Sequence, residues 1–343
     1  MIETRAPGKL FVLGEYAVVT AGQPSVLVAV DRYITVRLDP NPAPRETSSP
    51  HVREAIRVIE ELRESRGIAP REFSLEIRSD LEDARGAKLG LGSSAAVTVA
   101  VIDALDRHYG LSLEPLERFK LALLATIELA PLASGGDLAV STFGGWVRYV
   151  APDRAALRDA RATHGVAHAL GHAAWSQLEI RHLQEPSGLE LLVGWTGSPA
   201  STERLVDEMT AREVSTVPSL SQQSFLQESR TLTDGFTSAL TKGAWREAAA
   251  AVRAARSLLQ RLGAARGIEI ETGTLGVLCD VAEQHGAVAK PSGAGGGDCG
   301  IAFATPDADI AGILREWQQS GIHPLDLRVT EPVALSKGAS HEH

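Results

Sequence analysis

Four glycine-containing segments carry the residue types that could handle phosphate. The first, Lys290-Pro-Ser-Gly-Ala-Gly-Gly-Gly-Asp-Cys-Gly300, places five glycines in eleven residues and runs into the apolar Ile301-Ala302-Phe303. Glycine loses more backbone entropy on folding than any other residue, so this density points to backbone that must approach a ligand closely. A flexible linker is the bland alternative, but linkers lack an attached apolar run. The second segment, Lys88-Leu-Gly-Leu-Gly-Ser-Ser-Ala-Ala96, opens a predicted helix at Gly90-Leu91-Gly92-Ser93-Ser94-Ala95. The first turn of a helix has unpaired N–H groups and the positive end of the dipole, which suits an anion. Ser93 and Ser94 add hydroxyls for phosphate or a magnesium ion. No Gly-Lys-Ser/Thr follows, so this is not a Walker A loop. The segment fits the dinucleotide pattern G-x-G-x-x-A. However, residues 83–88 are polar rather than a buried strand, and no strand-end acid stands near Gly110. A plain helix cap with two serines is the structural alternative.

The third segment, Ala6-Pro-Gly-Lys-Leu-Phe-Val-Leu-Gly-Glu-Tyr-Ala17, sets Lys9 between a Pro-Gly turn and an apolar run. Taken alone, Lys9 is a solvated lysine at a strand start. The fourth, Ser134-Gly-Gly-Asp-Leu-Ala139, holds Asp137, which alone reads equally well as a helix cap or turn residue. Lysine is scarce in this chain beside arginine, yet Lys9, Lys88 and Lys290 all fall in these segments. The ammonium is the compact point charge suited to phosphate.

The elements that must position these residues are visible as periodicities. Leu10–Leu13 and Ser25–Val30 are apolar runs, and Ile34, Val36 and Leu38 alternate with Tyr33, Thr35 and Arg37, which predicts strands. Residues 41–50 are rich in proline and serine and read as a loop. Val52, Ile56, Ile59 and Leu62 recur at helical spacing, and Phe73, Leu75 and Ile77 alternate as a strand. Val97–Leu105 reads as a buried helix, Pro115–Leu129 as a helix with proline in its first turn, and Leu138–Val150 as a turn and a strand. Strands follow at Leu178–Leu183 and Leu189–Trp195, with a turn at 186–188. The second half is mostly helical to Gly263. It continues with a helix at Thr274–His285, a strand at Gly300–Phe303, a helix at Ile310–Gln319 and a last strand at Leu325–Val329.

At 343 residues the chain is long for one core. We expect two domains, residues 1–186 and 187–336, with a disordered tail at 337–343. No apolar stretch is long enough for a membrane span, and residues 1–5 lack a signal-peptide pattern. Cys279 and Cys299 are too few for a disulfide framework or a metal site, which fits a reduced, cytoplasmic setting. A formal net charge of −9 argues against nucleic acid as a partner. It also means that a site for anions must supply its own local positive charge.

Together Pro7-Gly-Lys-Leu10 through Gly14-Glu15, Gly90-Leu-Gly-Ser-Ser-Ala95 and Ser292-Gly-Ala-Gly-Gly-Gly297 resemble, in order, the motifs of the GHMP kinases. The resemblance covers nearly the whole chain. It implies an α+β fold with an N-terminal domain like the second domain of ribosomal protein S5 and a ferredoxin-like C-terminal domain. It also implies ATP as co-substrate with Mg²⁺. Within the family, Asp298, Leu192-Val-Gly-Trp-Thr196 and Ala200-Ser-Thr202 resemble the bacterial branch whose acceptor is 5-phosphomevalonate. A small-alcohol kinase such as mevalonate kinase, or a catalytically silent ligand-binding regulator, are the alternatives. By motif, Lys88 and Gly90, Leu91, Gly92, Ser93, Ser94 and Ala95 would cradle the ATP phosphates, with Ser94 as metal ligand. Lys9 would sit between donor and acceptor with Asp137 beside it. Ser134, Gly135, Ser201, Ser292, Gly293, Ala294 and Gly295, with Lys9, would hold the acceptor by side chain or backbone. Mevalonate kinases carry a metal-binding glutamate eleven residues before their aspartate. That position is Thr126 here.

Overall fold

The computed structural model describes residues 1–40, 49–83, 85–186, 188–199, 205 and 220–333. Ser201, the 200–202 segment, most of the 41–50 loop and the 337–343 tail lie outside these residues.

Two antiparallel sheets organise the described residues. In the first, β1 (Ile2–Leu13) pairs along β2 (Pro24–Asp39). The outer half of β2 pairs with β3 (Ser74–Ser79), and its first half with β4 (Trp146–Val150), which pairs in turn with β5 (Glu179–Leu183). The alternation read at 33–38 is real: Ile34, Val36 and Leu38 are buried, and their neighbours are half-buried. Helix α1 (Pro50–Ser65) buries Val52, Ala55, Val58, Ile59 and Leu62. Helix α2 (Ser93–Tyr109) packs on β1 and β2 and is buried almost all round. Helix α3 (Pro115–Leu129) starts on Pro115 and a reciprocal cap between Glu114 and Glu117.

Two stretches differ from the sequence reading. Residues 138–143, read as a turn before a strand, belong to helix α4 (Gly136–Phe143). Leu138, Ala139, Val140 and Phe143 are all buried, and eight residues span only about two turns, too few for a helical period to stand out. An Arg- and Ala-rich helix, α5 (Arg154–Leu170), follows β4 and has no counterpart among the predicted elements.

In the second sheet, β6 (Glu190–Trp195) lies between β8 (Cys299–Ala304) and β9 (His323–Leu325), and β7 (Val288–Pro291) flanks β8. Helices α6 (Gln222–Thr241) and α7 (Trp245–Arg266) pack on each other, and α7 and α8 (Gly273–Gln284) both pack on β7. Helix α9 (Ile310–Gln319) matches its predicted bounds. The last strand is shorter and earlier than predicted. Beyond it the chain returns to the first sheet, where Val329 bridges Val30 and Thr330 N–H donates to Ala29 C=O.

One apolar core runs through both sheets. Trp146 of β4 meets Phe303 of β8 at 5.7 Å between ring centroids and stacks on Phe236 of α6 at 6.5 Å. Burying each such side chain contributes about 1.5–3 kcal/mol. Packing therefore holds the seam, where the described residues show one isolated bridge, between Val30 and Val329.

Candidate active site

A cavity of about 450 Å³ opens where the four glycine segments converge. Its walls include Lys9, Ser93, Ser94, Asp137, Ala294 and Asp298. A hollow of like volume near Arg148 shares no residue with it. That hollow is walled by Glu179 and Asp234, with which Arg148 is already paired.

Strand β1 is the rail on which the site hangs. Lys9 N–H donates to Leu91 C=O at 2.9 Å, which ties the phosphate loop to the strand. The Lys9 side chain is only 7% exposed. Its ammonium donates to Gly90 C=O at 3.3 Å, stands 3.8 Å from the Asp137 carboxylate and lies 5.6 Å from the Phe11 ring centroid. Asp137 sits in the first turn of α4, where the helix dipole favours a carboxylate. The same helix is fastened to β1 by Ser141, whose hydroxyl donates to Pro7 C=O at 2.8 Å.

The phosphate loop needs its glycines for two separate reasons. Gly90 and Gly92 both have positive φ, at 76° and 80°. A Cβ on Gly90 would fall 2.4 Å from Asp298 Cγ, and one on Gly92 would fall 2.9 Å from Lys9 Cγ and Cε. Gly92 is also the N-cap of α2, and it offers no side chain to the first-turn N–H groups. Those of Ser93, Ser94 and Ala95 are thus left to a ligand. Lys88 is exposed at the mouth of the cavity.

The opposite wall is built by Ser134, Gly135 and the chain before them. Ser134 C=O accepts from the Tyr149 hydroxyl at 2.7 Å. Burial pushes the Tyr149 phenol well above its ordinary range, so it stays a neutral donor. Buried Arg154 donates to Leu132 C=O, Ala133 C=O and Val19 C=O and clamps the wall from behind. Desolvation lowers its guanidinium below the usual arginine range. The Thr126 hydroxyl oxygen, also on the cavity wall, is buried with no hydrogen-bond partner.

The 290–300 segment is placed differently from its sequence reading. Lys290 is fully buried and paired with the Glu15 carboxylate, so it is not a cation for phosphate. The Ser292 hydroxyl donates to Phe11 C=O at 3.0 Å and accepts from Phe11 N–H at 2.9 Å, which leaves it engaged with β1 rather than the cavity. Gly295 packs against Ile270 C=O, where a Cβ would come within 2.0 Å. Gly293 and Ala294 do line the cavity. The Cys299 thiol donates to Leu89 C=O at 3.1 Å, and burial pushes it well above the usual thiol range. Glu15, Tyr16 and Arg154 were not marked as site residues by the sequence. The first two lay inside a quoted motif. Arg154 has no local signal at all.

Residues 52–145 match the GHMP kinases N terminal domain, and residues 236–323 match the GHMP kinases C terminal domain. The chain belongs to the GHMP kinases and has their two-part α+β fold. It is 41% identical over 364 residues to the phosphomevalonate kinase of Streptomyces sp. (strain CL190), a match spanning 95% of this chain and 96% of that protein. The structure of Streptococcus pneumoniae phosphomevalonate kinase in complex with phosphomevalonate and AMPPNP superposes with a TM-score of 0.85 at 28% identity, over 96% of this chain and 100% of that one. A Listeria innocua protein superposes with a TM-score of 0.88 at 32% identity, over 97% and 99% of the two chains.

Gly92→Ala tests this geometry. A Cβ there meets the Lys9 stem in a backbone conformation that alanine adopts only at a cost of about 1–3 kcal/mol. We expect turnover to fall at least about tenfold with the fold retained, measured by steady-state kinetics beside a melting curve. Unchanged turnover would show that the Lys9 stem does not depend on Gly92.

Proposed function

We propose that this chain transfers the γ-phosphoryl group of ATP to the phosphate of (R)-5-phosphomevalonate, giving 5-diphosphomevalonate and ADP. This is the phosphomevalonate kinase step of the mevalonate route to isoprenoids. The reading is carried by the placement of the Lys9 ammonium between the phosphate-loop carbonyl of Gly90 and the Asp137 carboxylate. Near-full-length similarity to the Streptomyces enzyme supports the choice of acceptor.

The nucleotide phosphates lie on the free N–H groups at the start of α2, with Lys88 at the mouth. The acceptor lies against Ser134, Gly135 and the Gly293–Ala294 backbone. Phosphoryl transfer spreads charge over the oxygens of the moving group, and a fixed cation at that point is the main catalytic device. Lys9 supplies it in a chain whose net charge is otherwise unfavourable to anions. The acceptor is a phosphate monoester whose second pKa is near ~6. It is already ionised at neutral pH and needs no base. Asp137 therefore orients Lys9 rather than removing a proton.

The oxygen donors in the cavity, the Ser94 hydroxyl and the Asp137 carboxylate, fit Mg²⁺, which takes one or two carboxylates together with substrate phosphates. When bound, the ion neutralises charge on the phosphates. Among the described residues, no helix is long and apolar enough to cross a membrane. With both cysteines free and buried, a cytoplasmic setting is proposed.

A coupled ADP-release assay across mevalonate, 5-phosphomevalonate and 5-diphosphomevalonate tests the acceptor. The second should be preferred by at least about a hundredfold in kcat/KM. Preferred turnover of mevalonate, or ATP binding with no turnover on any acceptor, would refute the reading. Asp137→Asn tests the orienting role. It should lower kcat and leave the shape of the pH–rate profile unchanged, and loss of the acid limb would instead show that Asp137 is a base.

A further inference from the structure

We propose that Tyr16, Glu15 and Lys290 form a positioning latch that fixes the Gly293–Ala294 backbone at the acceptor end of the cavity, an inference that rests on the phosphomevalonate kinase reading. The chain around residue 15 and the chain around residue 292 meet at three places. Ser292 exchanges two hydrogen bonds with Phe11. The Lys290 ammonium pairs with Glu15 and also donates to Pro291 C=O at 2.6 Å. The Tyr16 hydroxyl donates to Ala294 C=O at 2.5 Å.

The Ser292 contact alone would staple the two segments together. The other two contacts carry costs that a staple does not require. Tyr16 adopts φ 60° and ψ −44°, a strained conformation for a bulky residue, and such strain persists only where the surroundings enforce it. The Glu15 and Lys290 side chains are 3% and 0% exposed. A well-packed apolar pair is often at least as stable as a buried ion pair. An ion pair, unlike an apolar one, satisfies both charges in a single register, so it fixes how the two segments slide past each other.

Both costly contacts sit at the cavity. Glu15, Tyr16 and Ala294 line it directly. A Cβ on Gly293 would stand 4.0 Å from the Lys9 ammonium. The peptide that Tyr16 holds therefore follows directly on the backbone facing Lys9. The phosphate loop is tied to β1 separately, through Lys9 N–H and Leu91 C=O. Loosening the latch should thus disturb the acceptor and spare the nucleotide. Burial holds the Tyr16 phenol well above its ordinary range, so it remains a donor at any working pH.

Tyr16→Phe keeps the ring and removes only the donor. The expected result is a rise in KM for 5-phosphomevalonate of roughly three- to tenfold. KM for ATP should stay within about twofold, the melting temperature should be nearly unchanged, and amide exchange at residues 293–297 should be faster. Glu15→Leu combined with Lys290→Met removes both charges together, so neither is left buried and unpaired. It should fold and show the same acceptor-selective loss. The latch is refuted if either variant keeps wild-type acceptor kinetics, or if the ATP and acceptor constants move together. Exchange at 293–297 is read without any substrate. If wild-type protein does not turn over 5-phosphomevalonate, the activity reading fails. The exchange difference then decides the latch alone: faster exchange in Tyr16→Phe supports it, and unchanged exchange refutes it.

Discussion

The site depends on one buried ammonium. Lys9 is held on a strand and nearly out of water, with one backbone carbonyl and one carboxylate for company. In a chain of net charge −9, the general field repels phosphates. The attraction must therefore be local, and local attraction is stronger where water is excluded. The rest of the architecture keeps that cation from moving. Its own N–H is bonded to the phosphate loop, its stem rests on Gly92, and the helix carrying its counter-ion is fastened to the same strand through Ser141.

Strand β1 thereby joins parts of the chain that are far apart in sequence. One edge is taken up by β2, and the other meets both the 88–95 loop, at Lys9, and the 290–294 segment, at Phe11. The apolar seam through Trp146, Phe236 and Phe303 and the return of residues 327–333 to the first sheet hold the two sheets in register around it. Backbone strain collects at the same place. Of the three non-glycine residues with positive φ among those described, Tyr16 and Asp298 flank the cavity.

Much of this was legible locally. The start of α2 could be read because glycines, serines and a following apolar run are all signals within ten residues. The bounds of α3 could be read because proline marks its first turn, and an apolar period continues to Leu129. Helix α4 reads as a turn before a strand because its two turns are too short, and too largely buried, to show the period that distinguishes a helix from a strand. Lys290 looked like a phosphate lysine, since its motif says nothing of Glu15, a partner 275 residues away. Ser292 was assigned to the acceptor for the same reason. Its partner Phe11 is 281 residues away. Composition and spacing report what a segment can do. Which partner occupies a polar group is decided by tertiary placement, and for Lys9 and Ser292 that placement is set along β1.

The central claim is that Lys9 acts on the transferring group rather than on ground-state nucleotide binding. Lys9→Met keeps most of the stem volume and removes the charge. The direct measurement is its turnover beside its equilibrium affinity for ATP. The account predicts that kcat falls by about a thousandfold or more, while the ATP dissociation constant changes by less than about tenfold. A loss of ATP affinity in proportion to the loss of turnover would contradict it.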